Sequence, residues 1–422
     1  MPSPTGLTQF ASWLRRTSRI LWVRVALMSA LAVVAALSAL LLDPLIPPMT
    51  QQRFSAQSIL PVLTILANGM LAVATFSLGV MVSSHRTLAQ QATPRIHRLL
   101  LEDTSTQTML ATFIGAFVYA LVAIILFNIG AYSSGASVVV FIATLGVVLA
   151  IVVSLVRWIA RLTRLGSLDY ALDQAEAAAA EALAYAHAMP RLGARPPEAA
   201  AGAERFGETF GAASSGYVQR IDMDGLQEQA DSHGQEFLLL ARPGDLVLAG
   251  QPLLKATALL PGCTPEACFE IASSRSHDQD PRYGVQALGE TASRALSPGI
   301  NDPGTALEVI ARLERLCWDY ARLEPVEDPP KYGRLYLHEL NSGLLLRAGF
   351  EAIARDGAGF VEVQCALVEA LATLHGRLPP DADDTITQLL EDIRERTARA
   401  LSTGHEKTRI EAALAKATLA AG

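Results

Sequence analysis

Thr64, Asn68, Thr75 and Ser83 lie in or beside a 31-residue stretch, Phe54 to Ser84, that carries no Asp, Glu, Lys or Arg. Hydroxyls and an amide both donate and accept hydrogen bonds, so they can replace part of a solute's hydration shell without selecting its sign. Taken as a helix, the four fall near one face, with Gly69 and Gly79 placed off it, and Arg86 follows at the end. If several copies pack around an axis, that face lines a polar path and Arg86 makes a positive ring at its mouth. A plainer reading of the same residues is that small polar groups join helices by hydrogen bonds. Thr64, Asn68, Thr75, Ser83 and Arg86 are the pore-lining candidates.

A second group is Asp278, Asp280, Asn301 and Asp302, with Arg275, His277 and Arg294 nearby in sequence. Asp280-Pro281 and Asp302-Pro303 each read as a capping carboxylate followed by proline at the first helical position. The free N–H groups of two such helix starts suit an anion, and the carboxylates suit a hard cation. The bland alternative is two caps, with Arg294 paired to one of them. Asp280, Arg294, Asn301 and Asp302 are the ligand or ion candidates. No nucleophile elbow, Walker loop, H-E-x-x-H or dinucleotide fingerprint occurs, so the expectation is not an enzyme, with no cofactor and no metal centre. Cys263 and Cys268 stand five apart without a second ligand pair, which argues against zinc.

These residues need elements to hold them. Thr104 to Val156 runs 53 residues without a formal charge, broken by the soft patch Asn128 to Gly135. A bilayer core of about 30 Å takes about 20 apolar helical residues, so this run predicts two spans and a tight turn. Val25 to Leu42 predicts a first span ended by Asp43-Pro44 and Pro47-Pro48, and the long uncharged stretch predicts a second near 60–82. The third falls near 107–128 and the fourth near 138–158. No small-residue cleavage site follows the first span, which argues against a secretory signal. Arg15, Arg16, Arg19 and Arg24 precede span one; Arg86, Arg95 and Arg98 follow span two; Arg157, Arg161 and Arg164 close span four. The opposite loops carry Arg53 alone. Positive residues stay inside, so both termini are expected in the cytoplasm of a multi-pass inner-membrane protein, where the four cysteines stay reduced.

The whole chain is 51% hydrophobic and 18% charged, with a net charge of −7. No basic cluster with interleaved aromatics points to nucleic acid. The expected partners are the lipid bilayer, further copies of the chain as a homo-oligomer, and a small ion or anion.

Behind the spans, 165–188 reads as an Ala- and Glu-rich helix, and the Pro- and Gly-rich stretch to 213 as a linker. Gly216–Ile221 reads as a strand, Asp222 as the cap of a short helix ended by Gly234, and Gln235–Ala241, Leu246–Leu248 and Pro252–Ala256 as strands. The turn pattern Pro243-Gly-Asp-x-Val-x-x-Gly-x-Pro-Leu253 resembles that of biotinyl/lipoyl-type barrel-sandwich domains, without a modified-lysine hairpin. An ordinary β meander fits equally. From Thr264 onward the pattern is helical: 281–296, 303–322, 337–355, 359–376, 383–402 and 405–420.

Arg294-Ala-Leu-Ser-Pro-Gly-Ile-Asn-Asp-Pro303 is the most distinctive string. It resembles the signature of a bacterial family of predicted inner-membrane proteins of unknown function. Ser215–Asp222, Arg242-Pro-Gly-Asp245, Gln279-Asp280 and Thr93-Pro94-Arg95 are similar to the same family, whereas Gly304 stands where the family more often has an aromatic. The resemblance implies four spans and a cytoplasmic C-terminal domain, and no reaction. The expected fold is therefore membrane α-helical over 1–164, a helix and linker over 165–213, and a cytoplasmic α+β domain. That domain comprises a small barrel- or sandwich-like β unit at 214–260 and a helical region at 261–422. The expected function is a homo-oligomeric channel or pore-like transporter, with a membrane-anchored sensing or scaffolding protein as the alternative.

Overall fold

The computed structural model describes residues 21–46, 56–91, 93–101, 104–162, 164, 166–200, 205–258, 261–324 and 329–421. Arg15, Arg16, Arg19, the Pro47-Pro48 pair and Arg53, which entered the topology expectation, lie outside these residues. The chain divides into two compact units, Met1–Ala171 and Leu172–Gly422.

The first unit is helical. Helices α1 (Leu21–Leu42), α2 (Ala56–Gln91), α4 (Thr104–Asn128) and α5 (Ser134–Leu162) each contain an apolar stretch long enough to cross a membrane, and α3 (Pro94–Leu101) is a short amphipathic helix. Helix α2 has 36 residues, about 54 Å at the helical rise, so it extends well past a hydrocarbon core. Pro44 turns the chain after α1 into a single 3₁₀ turn, Asp43–Leu45. Between α4 and α5 the turn is held by Gly130 at φ +71°, a conformation that excludes most side chains.

Helix α4 is the packing centre, with α1 and α2 laid along it. Ala32, Ala36 and Ala39 of α1 meet Ala120 and Ala123 of α4. Gly115 sits against the backbone of Met28, where a Cβ would lie 3.2 Å from the carbonyl oxygen. Without a hydrophobic drive between helices in lipid, such small residues are what let backbones close up. Tyr119, 1% exposed, ties α4 to α5 by donating to the Val140 carbonyl at 3.0 Å. Most of the outward surface, including Leu31, Val34, Ile65, Phe76, Ile142, Leu149 and Val156, is apolar, as a lipid-facing surface must be.

Helix α6 (Leu168–Ala188) has its first turn in the first unit and the rest in the second unit, which is α+β. Its alanine run has a packing purpose: a Cβ on Gly284 would meet Ala179 Cβ at 2.7 Å, so α6 lies tight against the helix at Pro281–Ala295. Strands β1 (Ala194–Arg195), β2 (Glu208–Gly211), β3 (Gly216–Ile221), β4 (Phe237–Leu239), β5 (Leu246–Val247), β6 (Pro252–Ala256), β7 (Phe269–Ala272) and β8 (Tyr332–Tyr336) pair into two sheets. Their orders are β1-β8-β4-β6-β2 and β5-β3-β7. β8 runs parallel to both β1 and β4, and the other pairs are antiparallel.

This pairing departs from the sequence expectation in two ways. The supposed linker supplies β1 and β2. The supposed helical region supplies β7 and β8. The sheets therefore recruit strands from well outside 214–260, and the barrel likeness rests on turn spacing alone. Helix α7 (Met223–His233) matches its expected ends: Asp222 accepts the Gly225 N–H at 3.2 Å, and Gly234 closes it at φ +64°. Helices α8 (Pro281–Ala295) and α9 (Pro303–Ala321) start at the expected Asp-Pro pairs. Thr264-Pro265 yields only the 3₁₀ turn Pro265–Cys268, without a side-chain cap. The expected helix at 337–355 is α10 (Ser342–Leu346), a π turn (Arg347–Glu351) and α11 (Ala352–Asp356). Helices α12 (Val361–Leu374), α13 (Pro380–Ala400) and α14 (Gly404–Ala421) complete the unit.

Candidate functional sites

Helix α2 buries Ile59, Leu63, Ala67, Met70, Ala74 and Ser77 at helical spacing. The opposite face is exposed from end to end: Pro61, Thr64, Asn68, Ala72, Thr75, Gly79, Ser83 and Arg86. The five pore candidates thus share a face, as expected. Gly79, which the sequence reading sets off that face, lies on it and meets nothing within 4 Å; fifteen residues from Thr64 are close to four full turns at 3.6 per turn. The line is polar or small apart from Val82, 60% exposed and five full turns from Thr64, and it is flanked by Leu71 and Leu78 on one side and Ile65 and Phe76 on the other.

Two of the three hydroxyls on this line are satisfied by their own helix. Thr64 donates to the Leu60 carbonyl at 2.9 Å and Thr75 to the Leu71 carbonyl at 2.8 Å. They need no outside partner. Asn68 differs, because among the described residues no group hydrogen-bonds its carboxamide. An amide without a partner costs roughly 4–8 kcal/mol in a hydrocarbon-like medium. The demand for water or a second chain therefore falls first on Asn68 and, further along the helix, on the Ser83 hydroxyl, which also has no partner among the described residues.

The second group of candidates does not form one site. Asp280 caps α8 and Asp302 caps α9, so α8 and the Ser297–Asn301 turn separate them. At 15 residues α8 alone is about 22 Å long. Asp302 is exposed and accepts from the Thr305 N–H at 3.1 Å and its hydroxyl at 2.6 Å. Those bonds hold its carboxyl below the usual range. Asn301 adopts φ +55°, turning the chain between the two helices. Arg294 lies partly buried in the last turn of α8, and the partners of Asp280 are other arginines.

Asp280 is the buried centre of the second unit, with a fully inaccessible side chain. Its Oδ2 accepts from Arg275 Nε at 2.8 Å and Nη2 at 2.5 Å, and its Oδ1 accepts from the Arg282 N–H at 3.1 Å. Arg275 in turn stacks on Tyr283 and donates to Gln286. Burial pushes the Asp280 carboxyl up, and the two arginines pull it back. Gly244 packs directly on this carboxylate at φ +90°, where a Cβ would lie 2.5 Å from the Asp280 carboxyl carbon. The Gly244 N–H donates to the Val218 carbonyl at 2.8 Å, and Gln279 Oε1 accepts the Ile221 N–H at 3.0 Å. Three separate strings, Ser215–Asp222, Arg242–Asp245 and Gln279-Asp280, thus interlock around one carboxylate.

Beside that junction, and wholly within the second unit, lies a cleft of about 200 Å³. Its charged lining is Arg191, Arg242, Asp245, Arg282 and Glu339. Asp245 Oδ1 accepts from Arg282 Nη2 at 2.8 Å, and Oδ2 accepts the Arg242 N–H at 2.9 Å. Arg242 Nη2 donates to the Glu339 carbonyl at 2.7 Å, and Arg191 Nη1 stands 3.5 Å from the Glu339 carboxylate. Burial, reinforced by Arg282, lowers Arg242 from its usual value against the pull of Asp245. Arg191 and Leu192 both adopt left-handed backbone, at φ +54° and +55°. Sequence reasoning missed this cleft. Arg242, Asp245 and Arg282 fall in or next to the quoted strings, but nothing in the chain marked Arg191 or Glu339.

The fold and these sites define a class: a membrane protein of four candidate spans carrying an α+β unit. Residues 18–373 match the family described as "Predicted membrane protein (DUF2254)", and the chain belongs to that family. It is 28% identical over 252 residues to uncharacterized protein Mb1321c of Mycobacterium bovis, a match covering 56% of this chain and 47% of that protein. Uncharacterized protein Rv1290c of Mycobacterium tuberculosis strain H37Rv matches with the same identity and coverage. The matched segment thus spans about half the length of these relatives. No solved structure matches the chain.

Proposed function

We propose that the protein is a homo-oligomeric channel or pore-like transporter for ions or small solutes in the bacterial inner membrane. Helix α2 lines the path, and the second unit, on the cytoplasmic side with both termini, assembles or gates it. The observation that carries this reading is the exposed face of α2, where Asn68, inside a candidate span, has no partner among the described residues. Lipid is a poor neighbour for a carboxamide. A second copy, or water held between copies, satisfies it, and an axis at that face satisfies it in every copy at once. Arg86 on the same face then rings one end. Orientation follows from Arg86, Arg95, Arg98, Arg157, Arg161 and Arg164 at the same ends of the spans. The reading includes no catalytic step.

The test is ion or solute flux in reconstituted vesicles. The proposal expects flux that falls or changes selectivity in Asn68→Ala and Arg86→Ala. No flux under any gradient from the folded wild-type protein overturns it. A second reading, a membrane-anchored sensing protein whose spans only anchor and oligomerise, is favoured by the cleft in the second unit.

A further inference from the structure

The cleft of the second unit has a one-sided chemistry. Its inner acceptors are already engaged: both Asp245 oxygens, Gln279 Oε1 with the Ile221 N–H, and Asn341 Oδ1 with the Leu344 N–H at 2.7 Å, while the Glu339 carboxylate is largely exposed at the rim, 3.5 Å from Arg191. Its donors are in excess. Each guanidinium carries five N–H groups, and among the described residues the Arg242 side chain donates only to the Glu339 carbonyl. The Gln279 and Asn341 amides, fixed through their oxygens, keep their NH₂ groups as donors. Three guanidiniums face two carboxylates, and Asp280 behind the wall is matched chiefly by Arg275, with Arg282 Nε at 3.7 Å as a second, looser partner. Met189, Leu192, Leu340 and Leu344 supply apolar walls.

One edge of this cleft is held in an unfavourable backbone. Left-handed geometry at two consecutive residues, one of them leucine, persists only where the surroundings impose it, and such strain gathers at ligand sites. Here it places the Arg191 side chain on the cleft.

We infer that this cleft binds a small phosphate monoester bearing an apolar group, its phosphate held by Arg191, Arg242 and Arg282. Guanidinium forks match phosphate oxygens in pairs, whereas a neutral ligand leaves the donor surplus unmet. The chemistry is common to a soluble phosphate ester and to a monoester lipid headgroup. The inference gives the sensing reading its ligand class, and it holds or fails independently of whether α2 conducts.

The experiment titrates phenyl phosphate, inorganic phosphate and phenol into the full-length protein in neutral detergent by calorimetry. Phenyl phosphate is expected to bind most tightly, inorganic phosphate more weakly, and phenol not at all. Arg191→Gln is expected to weaken phenyl phosphate about tenfold or more, the size of a lost charge-assisted hydrogen bond. Leu344→Trp, at a half-exposed position, keeps every arginine and fills the cleft; it is expected to abolish binding with the thermal unfolding midpoint unchanged. Competition by nanodiscs containing phosphatidic acid assigns the site to a headgroup, and competition by a sugar phosphate assigns it to a soluble ester. No binding of phenyl phosphate to folded wild-type protein, or binding that survives both variants unchanged, overturns the inference.

Discussion

Replacing Gly244 by alanine tests the account of the buried junction. Two costs add. The first is conformational: φ is +90°, and an L side chain there costs roughly 1–2 kcal/mol. The second is steric, since the new methyl would lie 2.5 Å from the Asp280 carboxyl carbon, which has no room to withdraw. Displacing that carboxylate breaks its bonds to Arg275 and leaves buried charge unpaired, roughly 3–5 kcal/mol. The sum, about 4–7 kcal/mol, is a large share of a domain's usual stability of about 5–15 kcal/mol. Gly250 is the matched control: its φ is +85°, but nothing lies within 4 Å of its Cβ position. Gly250→Ala therefore carries only the first cost. Urea titration with pulse proteolysis of the full chain in detergent, scoring fragments of the second unit, reads both variants. The reasoning is refuted if the two substitutions destabilise equally.

Asp280→Asn keeps the shape of the junction and strands Arg275, so the second unit should lose about 3–5 kcal/mol in the same titration; a loss below about 1 kcal/mol would contradict the buried-pair account. Gly115→Leu should disrupt the packing of α1 on α4 at a cost of about 1–3 kcal/mol, whereas Gly146→Leu, facing open space, should leave the protomer folded, as limited proteolysis in membranes can show. Asp302→Ala removes an exposed helix cap and should cost about 1 kcal/mol at neutral pH. Because the folded state depresses the Asp302 carboxyl, that difference is present above its unfolded pKa of about 3.9 and disappears as pH falls through the folded value. A difference between wild type and variant that persists in strong acid would show that the cap bonds are not its cause.

What the chain disclosed and what it withheld follow the range of the interactions. The four apolar helices depend on the solvent, and solvent preference is written residue by residue. Asp222, Gly234, Asp280 and Asp302 end helices through bonds reaching two to four residues, so they were legible too. β8 was not, because Tyr332–Tyr336 finds its partners at Ala194 and Phe237, far away in sequence. Gly289 sits in α8 for a similar reason, its Cα facing the Gly349 carbonyl in the π turn. The α2 face was readable from periodicity, apart from the misplaced Gly79. The cleft was not readable: Arg191 lies 51 residues before Arg242 and 91 before Arg282, and nothing in its residue type announces a left-handed backbone.

The claim on which the functional reading stands is that water, not lipid, meets the exposed face of α2. Single cysteines at Asn68, Thr75 and Leu31, in a chain whose four native cysteines are replaced, can be treated in native membranes with a charged, membrane-impermeant thiol reagent. Only a hydrated thiol ionises and reacts. Positions 68 and 75 should be modified readily, and position 31, an exposed leucine on α1, should stay unreactive. If 68 and 75 are as inert as 31, the face of α2 lies in hydrocarbon and the pore reading is wrong.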